Sequence, residues 1–166
     1  MKKLICILLS AFLLFITGCS DNSASDDAEY ATYSSDNGYT VKYPEKYNVF
    51  TLGSQIDFVI MDDETGSNVT IMREEKVDGI SDMSENDFIS RIKSEGYDDI
   101  TLLAFDKISI NGIPCISGKF SCNESTVTMI IYDASDNTYT ATCTILPGTR
   151  ASVSNDFESV ARGLMV

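Results

Sequence analysis

The 166-residue chain contains no histidine. That removes the usual general base, the serine and cysteine triads and the commonest transition-metal ligand together. Basic residues are also scarce, with 12 Lys and Arg against 25 Asp and Glu and a formal net charge of −13. Nucleic-acid binding and a polybasic membrane-facing surface are both excluded by that balance. The charge keeps the domain soluble and away from an anionic surface; a basic partner is the sharper alternative. No P-loop, Gly-rich dinucleotide fingerprint or G-x-S-x-G elbow is present. No cofactor, no metal and no catalytic residue is expected, and the chain reads as a non-enzyme.

What is present begins at the N-terminus. Met1-Lys2-Lys3 precedes an apolar run over residues 4–16, which ends in Ile16-Thr17-Gly18-Cys19. The run has the length of a signal h-region and is too short to span a bilayer comfortably. An aliphatic residue, two small residues and a Cys resemble the bacterial lipobox. Residues 1–18 are therefore expected to be a lipoprotein signal peptide and Cys19 the lipidated residue, with diacylglyceryl and palmitate-type acyl chains. Cleavage there removes two lysines and no acids, so the net charge moves from −13 to −15. Residues 19–29, dominated by Ser, Asp, Asn and Ala, bury too little apolar surface to order themselves and read as a flexible tether. The expected address is the extracytoplasmic face of the cell membrane, held by the lipid anchor.

Residues 30–166 form one domain, long enough for a real core. Its centre is the stretch 111–145, three β-rich runs separated by turn chemistry. Asn111-Gly112 between Ile110 and Ile113 is a strong hairpin signal, because both turn positions need φ > 0. That turn sets Ile108 opposite Cys115. A second tight turn at Asn123-Glu124 sets Tyr132 opposite Cys115 and Ile130 opposite Ser117. Ile116, Phe120, Cys122, Val127, Met129 and Ile131 then share the other face. A loop over 133–137 is expected to set Ala141 opposite Met129 and Cys143 opposite Val127, making that face apolar throughout. Earlier strands are expected at 39–43, 56–62 and 68–73, with Tyr30 and Tyr33 opening a first one. Ser84 and Asp87 are spaced as a capping box ahead of Phe88, Ile89 and Ile92, with Gly96 as the stop. Ser154 is expected to cap a last helix whose Phe157, Val160, Ala161 and Leu164 lie on the wholly apolar face. The fold class is α+β: an α/β/α sandwich built on an antiparallel sheet with a C-terminal helix packed on one face.

Five cysteines are present. Cys6 leaves with the signal and Cys19 carries lipid. The expected register puts Cys115 on one face and Cys122 and Cys143 on the other, two strand spacings or about 9–10 Å apart. A disulfide rarely exceeds about 7 Å between Cα atoms, so three free, buried thiols are expected. The acidic turns at 62–66 and 133–137 miss the glycine and ligand spacing of a calcium loop and read as hairpin turns. Two functional readings remain. One is a non-catalytic binding or assembly module with a possible protein partner. Tyr30, Tyr33, Tyr39, Tyr43 and Tyr47 either form its interface or pack the sheet edge. The other is a lipid-anchored hydrolase using carboxylates, with Asp62, Asp63 and Glu64 as its acidic patch.

The stretch N-G-Y-T-V-K-Y-P-E-K-Y-N-V (37–49) resembles the opening of PsbP-like domains. A hairpin, a helix near Phe88, the I-N-G-I-P turn at 110–114, a three-strand meander and a final helix containing F-E-S-V at 157–160 agree with it. The resemblance covers 30–166 and implies the α/β/α sandwich that the two-faced meander demands on its own. That fold also serves bacterial lipoproteins and a nuclear transport factor, so it implies no single activity and transfers no functional residue.

Overall fold

A computed structural model describes residues 29–166. The expected signal peptide 1–18, the lipidation site Cys19 and the expected tether up to residue 28 lie outside the described residues. The chain folds in the order β1 (Tyr30–Ser34), β2 (Thr40–Pro44), β3 (Val49–Phe50), β4 (Phe58–Met61), β5 (Asn68–Glu75), α1 (Glu85–Ser94), β6 (Ile100–Ile110), β7 (Ile113–Cys122), β8 (Ser125–Asp133), β9 (Asn137–Ile145) and α2 (Ala151–Arg162). Strands β1 and β2 form a separate hairpin; the other seven make one antiparallel sheet ordered β3-β4-β5-β9-β8-β7-β6.

Both tight turns of the meander form as the dipeptides dictate. Asn111 and Gly112 have φ of 52° and 82°, and Asn123 and Glu124 have 48° and 67°. These left-handed pairs match the strand twist, as a two-residue hairpin requires. The expected pairings Ile108 with Cys115, Cys115 with Tyr132 and Ser117 with Ile130 all hold.

The register of β9 differs from expectation by one residue. Asp133 pairs with Thr138, Ile130 with Ala141 and Thr128 with Cys143. The connecting loop therefore has four residues, 134–137, rather than three. Ala134 explains the longer loop: its side chain is buried in the core, and its carbonyl accepts a bond from Lys76 Nζ at 2.6 Å. Because side chains alternate, the slip exchanges the two faces of β9. Tyr139, Ala141 and Cys143 join Cys115, Ile130 and Tyr132, and the threonines take the other side.

That shift decides where α2 lies. It packs on the face carrying Cys115, Ile130, Tyr132 and Ala141, where Val153, Phe157, Val160, Ala161 and Leu164 are buried. This is the face opposite to the one expected, for the reason just given. The β1–β2 hairpin covers the same face, with Tyr39 and Val41 buried. On the second face, α1 buries Phe88 and Ile92 against Ile116, Phe120, Val127, Met129 and Ile131. A helix on either face gives the expected α/β/α sandwich, with the hairpin added to one outer layer.

The two helices begin differently. Ser84 accepts from Asp87 N and the Asp87 side chain returns to Ser84 N, so the capping box forms as read from the sequence. Helix α2 starts earlier than Ser154 suggests. Its N-cap is Arg150, which makes no side-chain cap bond, and Ser154 Oγ donates to the Arg150 carbonyl at 3.3 Å from inside the first turn. A hydroxyl that bonds back along a helix does not compete for the cap.

Candidate functional site

The acidic turn joins β4 to β5 and shapes one wall of a cleft of about 340 Å³, lined by Lys46, Phe50, Met61, Asp62, Arg150 and Ser152 among others. Asp62 is buried, and its Oδ2 accepts from Thr65 N at 3.0 Å and Thr65 Oγ1 at 2.6 Å. The Thr65 hydroxyl also bonds Ser67 and Thr149, tying the turn to the loop before α2. Asp62 thus closes its own turn, the local role short acidic side chains commonly take. Asp63 and Glu64 are exposed at the tip, and Glu64 bridges to Arg150 at 3.4 Å. Asp62, Asp63 and Glu64 all line this cleft. One acid is an internal acceptor and the other two face solvent, so this geometry lends the carboxylate-hydrolase reading no support. Lys46 on the opposite wall is paired with Asp156 at 2.7 Å. Among the described residues, no group of three or more Cys, Asp or Glu side chains is placed to hold a metal ion.

The N-terminal tyrosines mostly turn inward. Tyr39 and Tyr47 are buried, Tyr33 and Tyr43 pack partly against the same core, and Tyr30 is exposed. The hydroxyls of Tyr33, Tyr39 and Tyr47 find specific acceptors. Tyr39 Oη and Ser35 Oγ both donate to the Asp57 carboxylate, while Tyr33 Oη donates to the Asp57 carbonyl at 3.0 Å. Tyr47 Oη donates to Asp156 at 3.1 Å. Burial, reinforced by the Asp57 carboxylate, pushes the Tyr39 hydroxyl well above the usual phenol range. Burial and then Asp156 do the same for Tyr47. Tyr33 and Tyr39 clamp the β1–β2 hairpin to the segment entering β4, and Tyr47 ties the loop after β2 to α2.

The three thiols, Cys115, Cys122 and Cys143, are free and buried, as the sequence led us to expect. Their placement differs: Cys143 shares a face with Cys115, not with Cys122. Cys115 and Cys143 still cannot pair. Two strand spacings and four residues of offset separate them, roughly 15 Å or more. Burial pushes the Cys115 thiol up to about 11 and that of Cys143 up to about 12, which keeps both protonated and unreactive.

What sequence reasoning missed is an apolar corner at the β3–β4 edge. Phe50, Leu52 and Met61 are 44, 70 and 40% exposed. Phe50 pairs with Val59, and Met61 follows two residues later, so both project from the face on which α1 lies, beyond the reach of that helix. A two-residue strand carries no periodicity, so no sequence signal marked β3.

No protein-family model matches this chain, and no curated protein matches it by sequence. Similar folds are found among solved structures. The cyanobacterial PsbP (CyanoP) of Synechocystis sp. PCC 6803 superposes with a TM-score of 0.59 at 16% identity, covering 84% of this chain and 93% of its own. The Ran-binding protein Mog1p of Saccharomyces cerevisiae gives 0.58 at 11% identity, covering 84% and 96%. A Bacteroides thetaiotaomicron protein gives 0.51 at 14% identity, covering 81% of this chain but 47% of its own. At such identities the likeness concerns architecture alone. On that evidence the chain has the PsbP/Mog1 fold, the sandwich that its opening strand and meander resemble in sequence.

Proposed function

We propose that this protein is a lipid-anchored, non-catalytic binding or assembly module on the extracytoplasmic face of the cell membrane. The observation that carries the binding half is the apolar corner of Phe50, Leu52 and Met61, left exposed on a domain that folds four of its five N-terminal tyrosines inward. Exposed apolar clusters on a soluble domain mark interaction sites. Mog1p, which shares the fold, is a Ran-binding protein, so this architecture can serve binding. The anchoring half rests on Ile16-Thr17-Gly18-Cys19 and the apolar run before it. Two acyl chains contribute about 0.8 kcal/mol per buried CH₂, enough for stable attachment.

The test uses the full chain produced in a bacterial host. Mass spectrometry of the peptide beginning at Cys19 should show the acyl modification, and Cys19→Ser should move the protein from membrane to soluble fraction. An unmodified residue 19 refutes the anchor. Crosslinking from intact membranes should recover the same partner in replicate, and failure to do so counts against the binding role.

A further inference from the structure

The face that carries α1 is only half covered. Helix α1 lies over β6, β7 and β8, and no hydrophobic side chain of β4, β5 or β9 joins the core beneath it. The sheet nevertheless continues through β9, β5, β4 and β3. The registers place Thr142 beside Thr70, Thr70 beside Val59, and Val59 beside Phe50. Phe50, Met61, Thr70, Met72, Thr142 and Thr144 therefore lie on one continuous surface around Val59; Val59 itself is buried, and the other six are half-buried or exposed. The patch carries no charge, in a chain where 22% of residues are charged. Its border with the covered half is closed by the Arg91–Glu74 ion pair.

We propose that this uncharged half-face receives one amphipathic helix of a partner protein, with an apolar stripe flanked by Lys and Arg. The inference rests on the binding role proposed above and names its surface and partner. Three observations select the occupant. First, size: three strand spacings and alternate positions along β5 make a patch of roughly 15 by 15 Å, on the order of 300–400 Å² with its margins. A stable dimer needs about 800 Å² per partner, so a second copy is under-supplied, while one helix of about 10 Å diameter fits as a weak, transient contact. Second, charge: Asp63 is exposed at the turn entering β5, and Glu74, on the same face of β5 as Thr70 and Met72, stands at the patch border, on a chain of net charge −13. A second copy would set like charges together, whereas basic flanks complement them. Third, continuity: a ten-residue helix already covers the neighbouring half of this same surface, and a second one beside it completes the layer.

Two measurements test this. In cells, the full chain carries a photocrosslinking phenylalanine at Thr70 or Thr142, with Leu103 on the far edge strand as comparison, and the crosslinked peptides are sequenced. The expected product from positions 70 and 142 is a partner segment with apolar residues at helical spacing and basic flanks. An extended segment, a lipid or a second copy overturns the proposal. Crosslinks to protein from Leu103 but not from the patch overturn it while leaving the binding role standing; no protein crosslink from any position removes both. In vitro, a fourteen-residue helix with a leucine stripe and lysine flanks is compared with its glutamate-flanked twin. The lysine peptide should bind at least tenfold more tightly. Thr142→Arg and Thr70→Arg should each weaken it at least tenfold without lowering the melting temperature, while Ser90→Arg, the same charge change on the exposed side of α1, leaves it unchanged. Equal affinity of the two peptides, or equal loss from Ser90→Arg, refutes a specific site.

Discussion

Gly118 of β7 offers a decisive test of how α1 is seated. A Cβ built there would stand 2.1 Å from both Cε1 and Cζ of Phe88 and 3.1 Å from its Cδ1. Carbon atoms settle at about 3.5–4.0 Å, so the ring must retreat by roughly 1.5 Å. It has nowhere to go. Phe88 is fully buried, lies 5.6 Å from the Phe105 ring between centroids, and rides on a helix whose other anchor, Ile92, is also fully buried. Overpacking of this kind costs about 1–3 kcal/mol, and a rigid aromatic neighbour puts Gly118→Ala toward the top of that range. The sign is what makes the test sharp. Gly118 has no special backbone conformation, so in a strand without Phe88 above it alanine should instead stabilise by about 0.5–1 kcal/mol.

Urea unfolding of wild type, Gly118→Ala, Phe88→Ala and the double mutant separates these terms. Phe88→Ala alone should cost about 3–5 kcal/mol by leaving a cavity. In the double mutant the new methyl enters that cavity, so the losses should fall short of additive by about 1–3 kcal/mol. For a domain of this size the single Gly118→Ala change corresponds to a melting temperature lower by roughly 5–10 °C. A Gly118→Ala protein as stable as wild type, or strictly additive losses, would mean that α1 does not rest on β7 there, and the bare half-face would have to be redrawn.

Other outcomes follow from the same geometry. Thiol reagents should modify the native protein far more slowly than the unfolded chain, with Cys122 fastest because it is the least buried of the three; rapid labelling of Cys143 would contradict its place beneath α2. Tyr39→Phe removes one of two hydroxyl donors to the Asp57 carboxylate and should cost about 1.5–3 kcal/mol in urea unfolding, whereas no loss would mean the clamp carries no load. Tyr39, Cys115 and Cys143 all have raised values, so each contributes stability in full below its unfolded value and loses it as the pH rises; urea midpoints should hold to about pH 9 and fall above it. Glu124 sits at φ 67° in the second tight turn, so Glu124→Gly should raise stability by a few tenths to about 1 kcal/mol, and a loss would show the turn is not left-handed there.

Much of the fold could be read from residues whose local chemistry and tertiary role agree. Asn111-Gly112 and the Ser84–Asp87 box each favour one conformation strongly, and that conformation is found; Asn123-Glu124 turns the same way although Glu124 must take a positive φ. The misses occur where the deciding contact is distant in sequence. The β8–β9 loop has four residues because Ala134 is buried in the core and Lys76, far back in the chain, holds its carbonyl. Nothing within residues 133–137 distinguishes that loop from a three-residue one. Similarly, Ser154 looks like a cap, but α2 begins at Ala151. Of the candidate site residues, Asp62 was assigned to a turn correctly, and its bond from Thr65 is local. The apolar corner was invisible because Phe50 and Met61 meet only across the β3–β4 pairing, and β3 is two residues long.

The threonine ladder of β9 links that register to the proposed surface. With α2 on the face where it lies, the three-residue-loop register would put Thr138 to Thr144 beneath it, where each buried hydroxyl needs a partner or costs about 1–3 kcal/mol. In the observed register the ladder runs along the α1 face, and its environment changes along its length. Thr138 and Thr140 are buried; Val77 N donates to Thr138 Oγ1 at 3.0 Å, and Thr140 Oγ1 donates to Glu74. Thr142 and Thr144, beyond the edge of the covered half, are half-buried. Threonine suits a face of that kind. Its β-branch favours the strand, its hydroxyl keeps the face wetted when bare, and it carries no charge to desolvate when a partner arrives. Lysine or glutamate there would keep the surface soluble but resist docking; valine or isoleucine would invite aggregation. An uncharged, hydroxyl-bearing face bordered by Phe50 and Met61 meets both demands, which is why the half-face is where a partner should be sought.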